Sequence, residues 1–197
     1  MLKLVLVRHG QTNSNIERRY LGWTDVELND TGIIQAYCAK EKLKDCNPDV
    51  IITSPLKRAR KTAEVINECF NLDIVYDNRL KERNFGIIDN LTLEEILQRY
   101  QEQYNTWTQD WINYRFPEGE NSVDSYERTV GFIEELVSGN EGKTVIIVTH
   151  EGSIKKILAY LLNMGIEGIW RFRIENCGIT TVEVNNEGYA YLTGLNL

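Results

Sequence analysis

Leu2-Lys3-Leu4-Val5-Leu6-Val7-Arg8-His9-Gly10-Gln11-Thr12 is the stretch from which the fold is read. Its first half is mostly apolar, and it runs straight into a cation and an imidazole. No apolar run in the chain reaches the ~18 residues that would span a bilayer. Leu2–Val7 is also too short for a signal peptide and lacks a small-residue cleavage site, so it reads as a buried strand. Val50–Thr53, Ile74–Tyr76 and Thr144–Val148 have the same character. Helical stretches follow most of these runs. Asn29-Asp30-Thr31-Gly32 offers capping groups for a helix to about Leu43. Ser54-Pro55 predicts an N-cap with proline at the first helical position, for a helix through about Phe70. Ser122 and Asp124 are both candidate starts for a helix carrying Val130, Ile133 and Val137. Gly152-Ser153 leads into another, with Ile154, Ile157, Leu158 and Leu161 on one face. Ile179–Val184 and Tyr189–Leu195 flank Asn185-Asn186-Glu187-Gly188 as a β-hairpin. Strands alternating with helices predict an α/β protein with a mostly parallel sheet covered on both faces.

The chain has 197 residues, 42% hydrophobic and 26% charged, which predicts one soluble globular domain over residues 1–197. The stretch from about 84 to 121 stands apart. It is polar, rich in Gln, Tyr and Trp, and poor in strand character, and it predicts a helical insertion over the sheet edge that covers the site. A net charge of −7 argues against nonspecific nucleic-acid binding and leaves room for a small anionic substrate held by a local cluster. The expected partner is a small phosphorylated metabolite, not nucleic acid or membrane, with monomer or homodimer both open. Cys38, Cys46, Cys69 and Cys177 form no CxxC pair and no metal-type spacing with histidine, which predicts reduced thiols and a cytoplasmic location.

Ligands of open α/β sheets bind beyond the carboxyl ends of the strands. The chain's two histidines, His9 and His150, each follow a predicted central strand and precede a glycine by one or two residues. Arg8 and Arg58 lie at matching strand ends. One such histidine is most often a satisfied polar residue, but two with paired arginines make a site the better reading. Two imidazoles and two guanidiniums facing one point suit a tetrahedral dianion. Guanidinium forks bind phosphate oxygens, and a neutral imidazole nitrogen can attack phosphorus. Backbone N–H groups after Gly10 and at the start of the Gly152 helix are further candidate donors. Phosphoryl transfer needs mainly positioning and charge stabilisation, so no metal or other cofactor is implied, and the arginines would repel a cation. The leaving alkoxide needs a proton. Glu82, just beyond the Ile74–Tyr76 strand, is the candidate acid, with its pKa raised by burial and lowered by the arginines. A phosphomonoesterase, a mutase and a non-enzymatic phospho-ligand module all fit such a pocket.

The residues resemble the histidine phosphatase (phosphoglycerate mutase-like) superfamily over nearly the whole chain. Arg8-His9-Gly10-Gln11-Thr12 is similar to its RHG box, and Asn15, Gly22, Asp25, Leu28 and Gly32 follow as in the family. Ser54-Pro55-Leu56-Lys57-Arg58-Ala59 and on to Thr62-Ala63 resembles SPLxRAxxTA, and Leu80 to Gly86 resembles LxExxFG. Pro117-Glu118-Gly119-Glu120-Asn121 stands for PxGES, and His150-Glu151-Gly152 for HGG. The resemblance implies a three-layer α/β/α sandwich with a mixed, mostly parallel sheet. It implies His9 as the phosphorylated nucleophile, with Arg8, Arg58 and His150 holding the phosphoryl oxygens. Glu82 would be the proton donor and then the base for water. Gly10, Gln11, Asn15, Glu151 and Gly152 would bind phosphate or substrate, with Asn176-Cys177-Gly178 near the floor. The departures, Ile87-Ile88-Asp89-Asn90 for the usual W-E-G run, Glu151 for glycine and Asn121 for serine, fall where leaving-group recognition is expected. The short length, Arg19-Tyr20-Leu21-Gly22-Trp23 and Trp107 to Trp111 resemble the phosphatase branch, and within it the alpha-ribazole phosphatases of cobalamin synthesis. A broad-specificity small-molecule phosphatase and a phosphoglycerate mutase are the alternatives.

Overall fold

The structure, a computed structural model, describes residues 1–197. Six strands, β1 (Leu2–Arg8), β2 (Val50–Thr53), β3 (Ile74–Tyr76), β4 (Thr144–Thr149), β5 (Ile179–Val184) and β6 (Ala190–Gly194), form one sheet in the order β3-β2-β4-β1-β5-β6. The pairs β3–β2, β2–β4 and β4–β1 are parallel, while β1–β5 and β5–β6 are antiparallel. The six helices are α1 (Asn13–Ile16), α2 (Asp30–Leu43), α3 (Lys57–Asn67), α4 (Leu93–Gln109), α5 (Ser122–Gly139) and α6 (Glu151–Leu161). Side chains alternate across a strand, and β1 shows the consequence. Leu2, Leu4 and Leu6 join one core with Phe132, Ile133 and Leu136 of α5 and Ile154, Ile157, Leu158 and Leu161 of α6. Val5 and Val7 join another with Ala36, Ala39 and Leu43 of α2 and Ala59, Ala63, Val65 and Ile66 of α3. The result is three layers, with helices on both faces of a mixed, mostly parallel sheet.

Several element boundaries differ from the sequence reading, each for a local reason. The α3 helix begins at Lys57, not at Ser54-Pro55. The Ser54 hydroxyl lies 2.8 Å from His150 Nε2, and the Lys57 N–H donates to Asp25 Oδ1 at 2.7 Å. The helix stops at Asn67, short of Phe70, because the Asn67 amide binds both the N–H and the C=O of Leu72. The α5 helix does start at Ser122, one of the two candidates, and its cap is Asn121, reciprocated by Asp124. Within 84–121, α4 is broken at Tyr100 and lies beside a separate small cluster of Ile88, Ile96 and Phe116, with Tyr20, Phe85, Trp107 and Tyr114 packed against it. No helix is long and apolar enough to cross a membrane. All four cysteines are free.

Candidate active site

Strand register brings the two histidines together. Arg8 of β1 pairs with Thr149 of β4 in the parallel ladder, so the next residues, His9 and His150, leave adjacent strands side by side. Their ring centroids are 5.2 Å apart at 61°. Both rings are buried. The His9 Nδ1 lies 2.7 Å from the Gly10 carbonyl oxygen, which can only accept, so Nδ1 carries the proton and Nε2 keeps its lone pair. The Ser54 hydroxyl accepts from the Leu56 N–H and lies 2.8 Å from His150 Nε2, to which it can give its own proton; in that arrangement the proton of His150 is on Nδ1. Burial, then the charges of Arg58 and Arg8, hold the His9 pKa well below that of a free imidazole. Burial and Arg58 do the same to His150. Both are neutral at pH 7.

The two arginines are held by backbone oxygens. Arg58, in the first turn of α3 and fully buried, donates from Nη1 to Thr24 O at 3.0 Å and from Nη2 to Gly22 O at 2.7 Å. Burial lowers its pKa to about 10, which leaves it a cation at neutral pH. Arg8 donates from Nη1 to Ile174 O and pairs with Glu151 at 2.9 Å. Arg8 Nε, Arg58 Nε and His150 Nδ1 are buried and have no acceptor. An unmet buried donor costs about 1–3 kcal/mol, so two guanidinium N–H groups left without an acceptor beside two imidazoles describe a site built for an acceptor-rich anion.

Glu82 completes the cluster. Thr149 Oγ1 and Ser153 Oγ donate to the carbonyls of Leu80 and Lys81, which pins the loop after β3 to β4 and α6. The Glu82 carboxylate accepts the Arg83 N–H at Oε1 and the Gly152 N–H at Oε2, both at 2.9 Å. Burial alone would raise its pKa. Lys156, the two backbone N–H groups and Arg58 outweigh that and bring it below the ordinary carboxylate value. A Cβ at position 152 would stand 2.2 Å from Glu82 Oε1, so the acid keeps this position only beside a glycine and would have to shift for any other residue.

A cavity of about 350 Å³ opens over His9. Arg8, Asn15, Glu82, Glu151 and Gly152 line its polar end, and Trp107, Trp111, Ile166, Ile169 and Trp170 its apolar wall. Trp111 and Trp170 meet edge to face at 5.3 Å. Residues 4–196 match the histidine phosphatase superfamily (branch 1). The chain belongs to the histidine phosphatase superfamily. Its chemistry is hydrolysis of phosphoric monoesters. Among solved structures this phosphatase is similar to the alpha-ribazole phosphatase of Shigella flexneri, with a TM-score of 0.94, 29% identity, and 99% of this chain and 96% of that one covered. It is 31% identical to phosphoserine phosphatase 1 of Hydrogenobacter thermophilus over 93% of this chain and 87% of that protein. A probable phosphoglycerate mutase of Escherichia coli is 30% identical over 93% of this chain and 85% of that protein.

The structure brings Arg8, His9, Arg58, Glu82 and His150 together, with Asn15, Glu151 and Gly152 at the cavity wall. Gly10 and Gln11 do not line it. Their N–H groups donate to Thr62 Oγ1 and Gln35 Oε1, and the Gln11 side chain meets Asn29. The Gly152 N–H is taken by Glu82. The expected backbone donors are thus already committed, and the unmet donors are side chains. Two departures expected to set leaving-group recognition do other work in this phosphatase. Asn121 caps α5, and Ile88 is core. Asp89 accepts the N–H groups of Gly22, Trp23 and Thr24 at 2.7, 2.7 and 3.0 Å, and so fixes the loop that grips Arg58. Sequence reasoning missed Asp89, Ser54 and Lys156. The charge in an otherwise apolar Ile87-Ile88-Asp89 run was the one available signal among them.

Proposed function

We propose that this phosphatase cleaves small phosphomonoesters through a phosphoryl group carried on His9, without a metal ion. One observation carries the reading: a neutral His9, its Nε2 lone pair free, sits with three buried side-chain nitrogens that lack a partner, two of them guanidinium N–H donors. Nε2 attacks phosphorus, and Arg8, Arg58 and His150 Nδ1 donate to the phosphoryl oxygens, where charge builds. Glu82 gives a proton to the leaving oxygen and then takes one from the water that attacks the phosphohistidine. Buried guanidiniums hold an anion at this point and oppose a divalent cation.

Residues 84–121 act as a cover that shapes the leaving-group side. The indoles of Trp111 and Trp170 on an apolar wall suit a flat ring, and similarity to an alpha-ribazole phosphatase supports alpha-ribazole 5′-phosphate as substrate. A cytoplasmic location fits four free thiols. Arg19 and Lys155 on the cavity wall favour a second reading, a leaving alcohol that bears a carboxylate, as in phosphoserine or 3-phosphoglycerate. The test is a panel without added metal. It follows free phosphate and isomerised product from alpha-ribazole 5′-phosphate, phosphoserine, 3-phosphoglycerate, and sugar and nucleotide monophosphates. A kcat/KM about 100-fold higher for alpha-ribazole phosphate, or about 2.7 kcal/mol of transition-state preference, establishes the first substrate reading. The same preference for a carboxylated ester establishes the second. Isomerised product without free phosphate overturns both in favour of a mutase.

A further inference from the structure

Lys156 is an amine buried beside the acid. It lies on α6 with its side chain 6% exposed, lines the cavity, and holds Nζ 4.0 Å from Glu82 Oε1. The charged groups that act on it are Glu82 and Arg83 after β3, Glu120 before α5, and Arg128 on α5, and its own charge is felt by His150. Glu120 is committed to Arg128, at 2.8 and 2.9 Å, and to the Asn84 N–H. Arg83 is committed to Glu120 O and Ser122 Oγ. Glu82 is therefore the carboxylate left for Lys156. An ammonium buried with one contact at that distance is weakly compensated, and burial brings its pKa down to about 8. Glu82, for its part, is ionised in the resting site. A carboxylate must take up a proton before it can protonate a leaving alkoxide, and Lys156 is the protonated side chain held against it.

We infer that Lys156 is the proton reserve of this site, passing its proton to Glu82 as Glu82 protonates the leaving oxygen, and recovering it in the second half-reaction. The inference rests on the phosphomonoesterase reading above. In the first half, the ester P–O bond breaks and the His9 N–P bond forms. A Lys156 N–H proton goes to the Glu82 carboxylate, and the O–H so formed gives its proton to the leaving oxygen. The alcohol departs, leaving phosphohistidine, a carboxylate and a neutral amine. In the second half, water forms a P–O bond as the N–P bond breaks. The water proton passes through Glu82 to Lys156, inorganic phosphate leaves, and the starting state returns with every proton accounted for. Lys156 acts through Glu82, as a positioning residue for the proton.

Leaving-group chemistry separates this from a purely structural ion pair. Nitrophenolate departs without a proton, whereas an alkoxide does not. The experiment compares wild type, Lys156→Met, Lys156→Arg and Glu82→Gln on p-nitrophenyl phosphate and on the alkyl ester that wild type cleaves fastest. Lys156→Met is expected to lose about 100-fold in kcat on the alkyl ester, within the range of a general-acid contribution, and less than about tenfold on the nitrophenyl ester. Glu82→Gln also removes the base for water, so it is expected to lose turnover on both esters, and more on the alkyl one. Lys156→Arg keeps the charge but gives up no proton, so it is expected to fail on the alkyl ester as Met does. Equal losses on both esters, or alkyl turnover restored by Arg, overturns the inference. Where Lys156→Met does not fold, Lys156→Arg decides, and its nitrophenyl turnover reports a folded site. Wild type inactive on both esters would instead sink the phosphomonoesterase reading itself.

Discussion

His9 and His150 are buried without charge, and that has a cost in acid. In the unfolded chain each imidazole titrates near 6.5. In the fold both stay neutral well below that value. Below 6.5 the unfolded state therefore binds more protons, so stability is full above this pH and falls as pH drops through it. At pH 5.5 the loss is about 1.4 kcal/mol per histidine. Thermal unfolding of wild type at pH 7.5 and 5.5 is expected to show the drop, and His150→Gln to show about half of it; a pH-independent Tm contradicts the burial of neutral rings. Gly152→Ala is expected to push Glu82 off its two N–H donors and lower kcat by about 100-fold, with KM changed less. Unchanged kcat would mean that the 2.2 Å approach relaxes harmlessly. At this scale His9, His150, Arg8, Arg58 and Glu82 were legible, because two histidines at strand ends and an ordered set of motifs single them out. Lys156 was not. Lys155-Lys156 reads as a solvated charged face, and only the packing of α5 and the Glu82 loop buries the second lysine.

Elements position the site through their ends. The β1–β4 register sets the histidines side by side, and the first turn of α3 delivers Arg58. Strands were legible to within about a residue because their apolar runs are short and bounded. Helix starts were less so, since Ser54, a good cap by type, is drawn instead to His150, and Asp25, far along the chain, takes the Lys57 N–H. No local pattern announces such a long-range partner. Asp89 is a case with functional weight. Its carboxylate organises residues 22–24, and their carbonyls aim Arg58. Asp89→Ala is expected to lower kcat/KM about 100-fold on every phosphomonoester alike, because the displaced group serves the phosphoryl end. Asp89→Glu is expected to recover part of it. A loss confined to bulky esters would instead place Asp89 at the leaving group.

The whole molecule divides into a sheet whose strand ends carry the proposed phosphoryl site and a small, separate aromatic cluster. Trp107 is packed among Tyr20, Tyr104 and Phe116, whereas Trp111 meets Trp170 at the cavity wall. Trp111→Ala is expected to raise KM for ring-bearing esters by about tenfold, worth ~1.4 kcal/mol of binding, and to leave small esters near wild type. Equal changes for both would deny Trp111 a part in recognising the leaving group. The polar, aromatic composition of residues 84–121 sets the stretch apart, but does not reveal that Trp111 meets Trp170, because that contact is made far along the chain. The most direct measurement is to mix the purified phosphatase with a phosphomonoester labelled at phosphorus, quench within a turnover, and map the label on the protein. Acid-labile, base-stable phosphate on His9, absent from His9→Ala along with turnover, is the expected result. Full turnover by His9→Ala, or label on another residue, would contradict a phosphoryl group carried on His9.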